Sequence, residues 1–199
     1  MTNIEKDNII KQNLSEQIQC IKKISEENIE EIKNISNILE ECREKQNTIY
    51  VVGNGGSGST ASHFVSDLLK TSILENTPRF RAISLTDNIP VLSAWANDTS
   101  YENIFVGQLE NFLQSNDVVI AISGSGNSPN VINAIKYANK QDIQTISFTG
   151  KDGGDLARLT KINLTIPSFD MLTIETMHLL ICHLLTTMLR KTGKPVFSY

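Results

Sequence analysis

Residues 51–67 read Val-Val-Gly-Asn-Gly-Gly-Ser-Gly-Ser-Thr-Ala-Ser-His-Phe-Val-Ser-Asp. An apolar run from Thr48 to Val52 leads into four glycines, Gly53, Gly55, Gly56 and Gly58, and then into an amphipathic run. The order strand, glycine loop, helix start is the feature that most restricts the fold. It points backbone N–H groups at a helix N-terminus outward, where the helix dipole favours negative charge. Glycine lets the backbone approach a ligand and take positive φ. No lysine follows as in the nucleotide phosphate loop, and no acidic residue stands at a ribose-binding position of a dinucleotide fold. Taken alone, the loop also fits a tight βα turn that needs glycine for geometry.

A second loop of the same character weakens that plainer reading. Val118-Val119-Ile120-Ala121-Ile122 runs into Ser123-Gly124-Ser125-Gly126-Asn127-Ser128-Pro129-Asn130. Pro129 suits a first helical turn, with Ser128 as its cap. Three serines and free N–H groups can hold a phosphate without a cation. A third strand end, Phe148-Thr149-Gly150-Lys151-Asp152-Gly153-Gly154, is a turn-rich connection in which Lys151 reads as a solvated turn residue.

From residue 48 onward strands and helices alternate. Strands are expected at 48–52, 80–85, 117–122, 143–149 and 162–166. Helices are expected at 58–71, 89–96, 102–114, 129–140, 153–160 and 170–191. Strands apolar throughout belong in a parallel sheet covered on both faces. The fold class is therefore α/β, a three-layer, doubly wound, five-stranded parallel sheet, with ligands beyond the carboxyl ends of the strands. The last seven residues, Gly193 to Tyr199, read as a loose tail.

Residues 3–46 have no Pro or Gly and read as helix, with Ile10, Leu14, Ile18, Ile21 and Ile24 at three- and four-residue steps. Ser25-Glu26-Glu27-Asn28 marks a break, with Ser25 as a candidate cap; two helices or one bent helix both fit. The stripe needs a cover, either the α/β body or another subunit. The heptads do not persist, which argues against a coiled-coil array. The division is thus 1–46, an N-terminal helical extension suited to oligomerisation, and 47–199, the α/β domain.

The net charge of -4 offers no basic field for nucleic acid. No apolar run reaches the ~18 residues of a membrane span, and the N-terminus lacks the apolar region of a signal peptide. Cys20, Cys42 and Cys182 have no metal-type spacing and read as reduced thiols of a cytoplasmic protein.

The three histidines fall in two helices. His63 and Asp67 are spaced i, i+4 and share a face, where they could share a metal ion or a proton, or be a plain surface pair. Glu175 and His183 differ by about 80° around the last helix and stand two turns apart, so sharing a ligand needs a long reach. His178, among leucines, reads as a hydrogen-bonded core residue.

These motifs together resemble the sugar isomerase (SIS) domain family, most closely its phosphoheptose isomerase branch. The matching residues are Val52-Gly53-Asn54-Gly55-Gly56-Ser57, His63-Phe64, Ala96-Asn97-Asp98, Ser125-Gly126-Asn127-Ser128-Pro129-Asn130-Val131, Thr149 to Gly154, and His178 with His183. They span almost the whole chain. The resemblance implies a ketose–aldose isomerase that converts sedoheptulose 7-phosphate to D-glycero-D-manno-heptose 7-phosphate through an enediolate. It implies that Ser123, Gly124, Ser125 and Ser128 hold the phosphate. Asn54, Gly55, Gly56, Asn97, Asp98 and Glu175 would contact the sugar. His63, Asp67, Glu175 and His183 would bind a divalent metal, commonly zinc, with Asp67 and His183 as the acid/base pair. It also implies a homotetramer. Four departures from the family stand out: Asp67 and Glu175 stand where glutamate and glutamine are usual, the pair Leu172-Thr173 where an arginine or acid precedes, and Gly124 where threonine is frequent. These departures keep open an isomerase for another sugar phosphate. The family also includes non-catalytic modules, such as a regulator that associates with the replication initiator DnaA. Two histidines and two carboxylates at the metal positions favour the enzyme.

Overall fold

The computed structural model describes residues 1–198. It opens with α1 (Asn3–Glu27) and α2 (Ile29–Glu44). Thr2 and Glu5 form a reciprocal capping box at the start of α1. The break falls at Asn28, with φ -117° and ψ 9°. Ser25 does not cap the second helix; its hydroxyl donates back to the Lys22 carbonyl within α1.

Five strands follow: β1 (Thr48–Gly53), β2 (Arg81–Ser84), β3 (Val118–Ser123), β4 (Gln144–Gly150) and β5 (Ile162–Ile166). They pair in the order β2-β1-β3-β4-β5, all parallel. β1 and β3 are buried along their full length, which is why their sequences are apolar without alternation. The remaining helices are α3 (Gly55–Ser66), α4 (Ile89–Asp98), α5 (Val106–Phe112), α6 (Pro129–Lys140), α7 (Gly154–Leu159) and α8 (Met171–Arg190). On one face Val51, Ile120 and Phe148 pack with Ile35, Leu39, Phe64 and Ile181 of α2, α3 and α8. On the other, Val52, Val119 and Ala121 pack with Leu109, Ile135 and Leu156 of α5, α6 and α7. The order reverses direction between β1 and β3, so their two loops share one crevice.

Several local expectations are corrected. The first loop helix begins at Gly55, not 58, because Gly55 takes φ +53° and turns the chain at once. It ends in a π-helical turn, Asp67–Thr71, in which the Ser72 N–H donates to the Asp67 carbonyl. The span 102–114 divides into a 3-10 turn, Tyr101–Asn103, and α5. The tail is held, not loose: Leu74 bridges Pro195, the Glu75 N–H donates to the Lys194 carbonyl, and Arg190 donates to the Phe197 carbonyl. Tyr199 lies outside the described residues.

Among the described residues α8 is the one helix long and apolar enough to cross a membrane by length and composition alone. Half of that window is buried inside the domain, as in the core helix of a globular protein. Two elements are only partly covered: Leu92, Trp95 and Ala96 of α4 pack against the second core without being fully buried. α4 buries none of its residues. In α1, Ile10, Leu14, Ile18 and Ile21 are each 39–56% exposed, and only Cys20 and Ile24 are buried.

Two glycines of the first loop separate space from backbone conformation. A Cβ on Gly53 would lie 2.6 Å from the Ser57 carbonyl oxygen, which is rigid backbone. A Cβ on Gly55 would meet nothing within 4 Å, but φ is +53°. Gly53→Ala is therefore expected to cost ~3 kcal/mol through overlap, and Gly55→Ala ~1 kcal/mol through the left-handed backbone alone. Urea unfolding of both variants checks the order.

Candidate active site

Helix α8 assembles the site by crossing the carboxyl ends of three strands. Met171, Ile174, Glu175 and His178 fall at i, i+3, i+4 and i+7, one stripe of the helix. Each meets a strand end. A methyl built on Gly124 would overlap the Met171 sulfur, one on Gly150 would overlap Ile174, and one on Gly56 would overlap the Glu175 carboxylate. His178 is fully buried, with Nε2 3.0 Å from the Thr149 carbonyl oxygen. A carbonyl only accepts, so Nε2 carries the proton. Nδ1 is left buried without a partner. Burial pushes the imidazole down to about 4, against the smaller opposing effect of the Thr149 hydrogen bond. His178 is the neutral core histidine that its apolar neighbours suggested.

One further turn along α8, His183 meets α3. The Nε2 atoms of His183 and His63 lie 3.1 Å apart. Oδ2 of Asp67 is 3.7 Å from each. All three ligand atoms fall within 4.8 Å of one another, at a half-exposed position. Asp67 is the first residue of the π-helical turn; such turns are frequent at functional sites. Tetrahedral coordination with bonds of about 2.0–2.1 Å to histidine and carboxylate spaces neighbouring donors ~3.3 Å apart, which these separations bracket. The donor set, two imidazoles and a carboxylate, suits zinc. Cys182 is adjacent in sequence but fully buried; burial and then the Asp67 charge push its thiol far up. Glu175 is not in this group. It is half-buried and lies against Gly56 in the first loop.

The serine loop closes the other side. Ser123 is buried and its hydroxyl lies 3.4 Å from that of Ser128. Ser125 accepts from the Asn127 N–H, and Asn127 in turn accepts from the Asp155 N–H of α7. Gly126, at φ +67°, packs so closely on the Gly153 carbonyl that no side chain fits. Asn54, Gly55 and Gly56 line the facing edge, Asn54 half-buried and the two glycines exposed. Asn97 and Asp98 end α4 exposed, with the Asn97 amide donating to Asp98 at 2.8 Å. The structure thus brings His63, Asp67 and His183 together, sets Glu175 on the glycine loop, and leaves Asn97 and Asp98 bonded to each other at the exposed end of α4. Reading the sequence missed Asn130, Tyr101 and Met171. Asn130 was within a quoted motif and Met171 begins the last helix, but only three-dimensional contact shows that they touch the loops.

A parallel sheet with two hydroxyl- and glycine-rich loops at its switch point, facing histidines and carboxylates from two helices, defines a sugar-isomerase type of domain. The SIS domain model matches residues 12–150. Phosphoheptose isomerase of Helicobacter pylori strain 26695 is 40% identical over 179 residues, covering 90% of this chain and 93% of that protein. The probable phosphoheptose isomerase of Thermoplasma acidophilum is 39% identical over 162 residues, 81% of this chain and 88% of that protein. The solved phosphoheptose isomerase of Francisella tularensis superposes with a TM-score of 0.88 at 29% identity, covering 96% of this chain and all of that one. The Neisseria gonorrhoeae structure gives 0.87 at 27%, covering 93% and 98%. The chain belongs to the SIS domain family, in its phosphoheptose isomerase group.

The buried His178 has a stability consequence. Its folded-state value lies below the ordinary imidazole value, so between about 6.5 and about 4 the unfolded chain binds a proton that the folded chain does not. Stability therefore rises with pH across that window and is lost on acidification. His178→Gln is expected to flatten this part of the pH profile, measured as the urea midpoint from pH 4 to 7.

Proposed function

We propose that the protein isomerises sedoheptulose 7-phosphate to D-glycero-D-manno-heptose 7-phosphate, with a zinc ion at His63, Asp67 and His183. The observation that carries this reading is the meeting of those three side chains, from two helices, beside the paired glycine and serine loops. The phosphate would sit on Ser123, Ser125 and Ser128 and the N–H groups at the start of α6. The sugar would extend along Asn54, Gly55 and Gly56 toward the histidines. A ketose becomes an aldose when a proton leaves one carbon and another is returned to its neighbour. Asp67, as a carboxylate, is suited to take the carbon-bound proton; His183 is suited to serve the oxygens. Bound zinc would stabilise negative charge developing on a sugar oxygen. Glu175, against Gly56, would face the same end of the sugar.

The shorter Asp67 leaves a more open cluster than a glutamate would, and Glu175 adds charge where the family usually has a neutral amide. Both bear on rate, since a misplacement of ~1 Å can cost about a hundredfold. They are also the observation that keeps an isomerase for another sugar phosphate as the second reading.

We also propose a homotetramer. The uncovered stripe of α1 continues into an apolar groove of about 300 Å³ lined by Ile21, Ile24, Ile29, Leu180, Leu184 and Met188. Leu184 adjoins His183, so a subunit covering the groove would also border the cluster.

Turnover of sedoheptulose 7-phosphate, followed by solvent proton exchange and product NMR, tests the function. The expected result is aldose formation that chelator abolishes and zinc restores; a folded protein inactive under both conditions sinks it. Asp67→Asn is expected to lower kcat at least ~100-fold, as for loss of a general base. Removal of residues 1–45 is expected to give monomers or aggregates by light scattering, and a soluble, active tetramer would refute the assembly.

A further inference from the structure

The helices that follow the two ligand loops share a feature with α2, whose N-cap Asn28 also makes no side-chain cap bond. Asn54 and Ser128 stand at the N-caps of α3 and α6, both residue types that cap, and neither makes a side-chain cap bond. Thr2, Asn88 and Asp170 do cap α1, α4 and α8. An N-cap asparagine ordinarily accepts from the second or third helical N–H, here Gly56 or Ser57. The Asn54 amide is turned elsewhere. Its Nδ2 donates to Asn130 Oδ1 at 2.9 Å, and Asn130 Nδ2 donates to Asn54 Oδ1 at 2.9 Å. The Tyr101 hydroxyl donates to the same Asn54 Oδ1 at 3.0 Å. Both lone pairs of that oxygen are thereby filled, and nothing remains for Gly56 or Ser57. Asn130 is 1% exposed, in the first turn of α6, and its Oδ1 also accepts from the Val131 N–H. This clasp ties the end of β1 to the serine loop's helix and, through Tyr101, to the turn that follows Asn97 and Asp98.

We propose that Asn130 is a positioning residue. By holding the Asn54 amide away from α3, it keeps the first N–H groups of that helix open to sugar oxygens. It also fixes the glycine loop at a set separation from the phosphate serines. This inference rests on the sugar phosphate reading above. Asn130→Ala frees the Asn54 amide to cap α3 and compete with substrate for the Gly56 and Ser57 N–H groups. That competition weakens substrate and transition state alike, so it raises KM and spares kcat.

The test is a double-mutant cycle of Asn54→Ala and Asn130→Ala, read by steady-state kinetics with sedoheptulose 7-phosphate and by amide NMR of the free protein. Asn130→Ala is expected to raise KM about tenfold, the scale of one good hydrogen bond, with kcat nearly unchanged. It is expected to shift the Gly56 and Ser57 amides and slow their exchange. In the Asn54→Ala background the same change is expected to do neither. An equal KM rise in both backgrounds, or unmoved Gly56 and Ser57 amides, would overturn the proposal. The NMR arm needs no substrate, so it decides the clasp even if the wild-type protein fails to turn over this sugar. If Asn130→Ala does not fold, Asn130→Asp serves: it keeps the acceptor and loses the donor to Asn54. A smaller KM rise that vanishes in the Asn54→Ala background supports the clasp, and one that persists refutes it.

Discussion

Everything in the site depends on one close approach, the stripe of α8 laid across the carboxyl ends of β1, β3 and β4. Met171, Ile174 and Glu175 each occupy the space that a Cβ would take on a glycine of the loop beneath, at Gly124, Gly150 and Gly56. His178 then fastens the helix to the Thr149 carbonyl. Set at that height, α8 carries His183 into van der Waals reach of His63 one turn beyond, with ring centroids 4.9 Å apart. Raising the helix by the thickness of a methyl group would part the histidines. Close-packed interiors transmit such displacements instead of absorbing them.

This contact also gives physical sense to one departure from the family. Gly124 stands where threonine is frequent, and in this chain the Met171 sulfur fills the vacated volume. The loop loses a hydroxyl and gains an apolar wall, while Ser123, Ser125 and Ser128 keep the polar side. Asp67 is set differently: the π-helical turn that begins there brings its shorter carboxylate within 3.7 Å of both imidazoles. Glu175 is the departure that the geometry sets apart from the histidines, on the glycine loop.

The sheet was legible in the sequence because fully buried parallel strands are apolar without interruption, as in Val118 to Ile122. The ligand loops were legible because glycine and serine cluster where strands end. The meeting of His63 with His183 was not derivable from spacing, being a contact between residues 120 apart in sequence; family resemblance supplied it. The π-helical turn at Asp67 leaves no compositional mark, since one more residue per turn costs the pattern almost nothing. The bound tail was misread because Gly193, Lys194 and Pro195 look like a linker, although the bridge to Leu74, backbone bonds to Ile73 and Glu75 and the Arg190 guanidinium hold it. The clasp at Asn54 escaped because a contact between residues 76 apart leaves no mark in local spacing.

The uncovered α1 has a consequence for how the protein comes into being. It precedes the sheet in the chain, yet within one subunit it buries only Cys20 and Ile24. An isolated helix in water is marginal even at this length when so little of it packs. The central strands supply the core on which α2 and α8 pack. Most of α1 is left outside that core. Left bare, that isoleucine stripe is apolar surface of the kind that makes incompletely folded chains prone to aggregate.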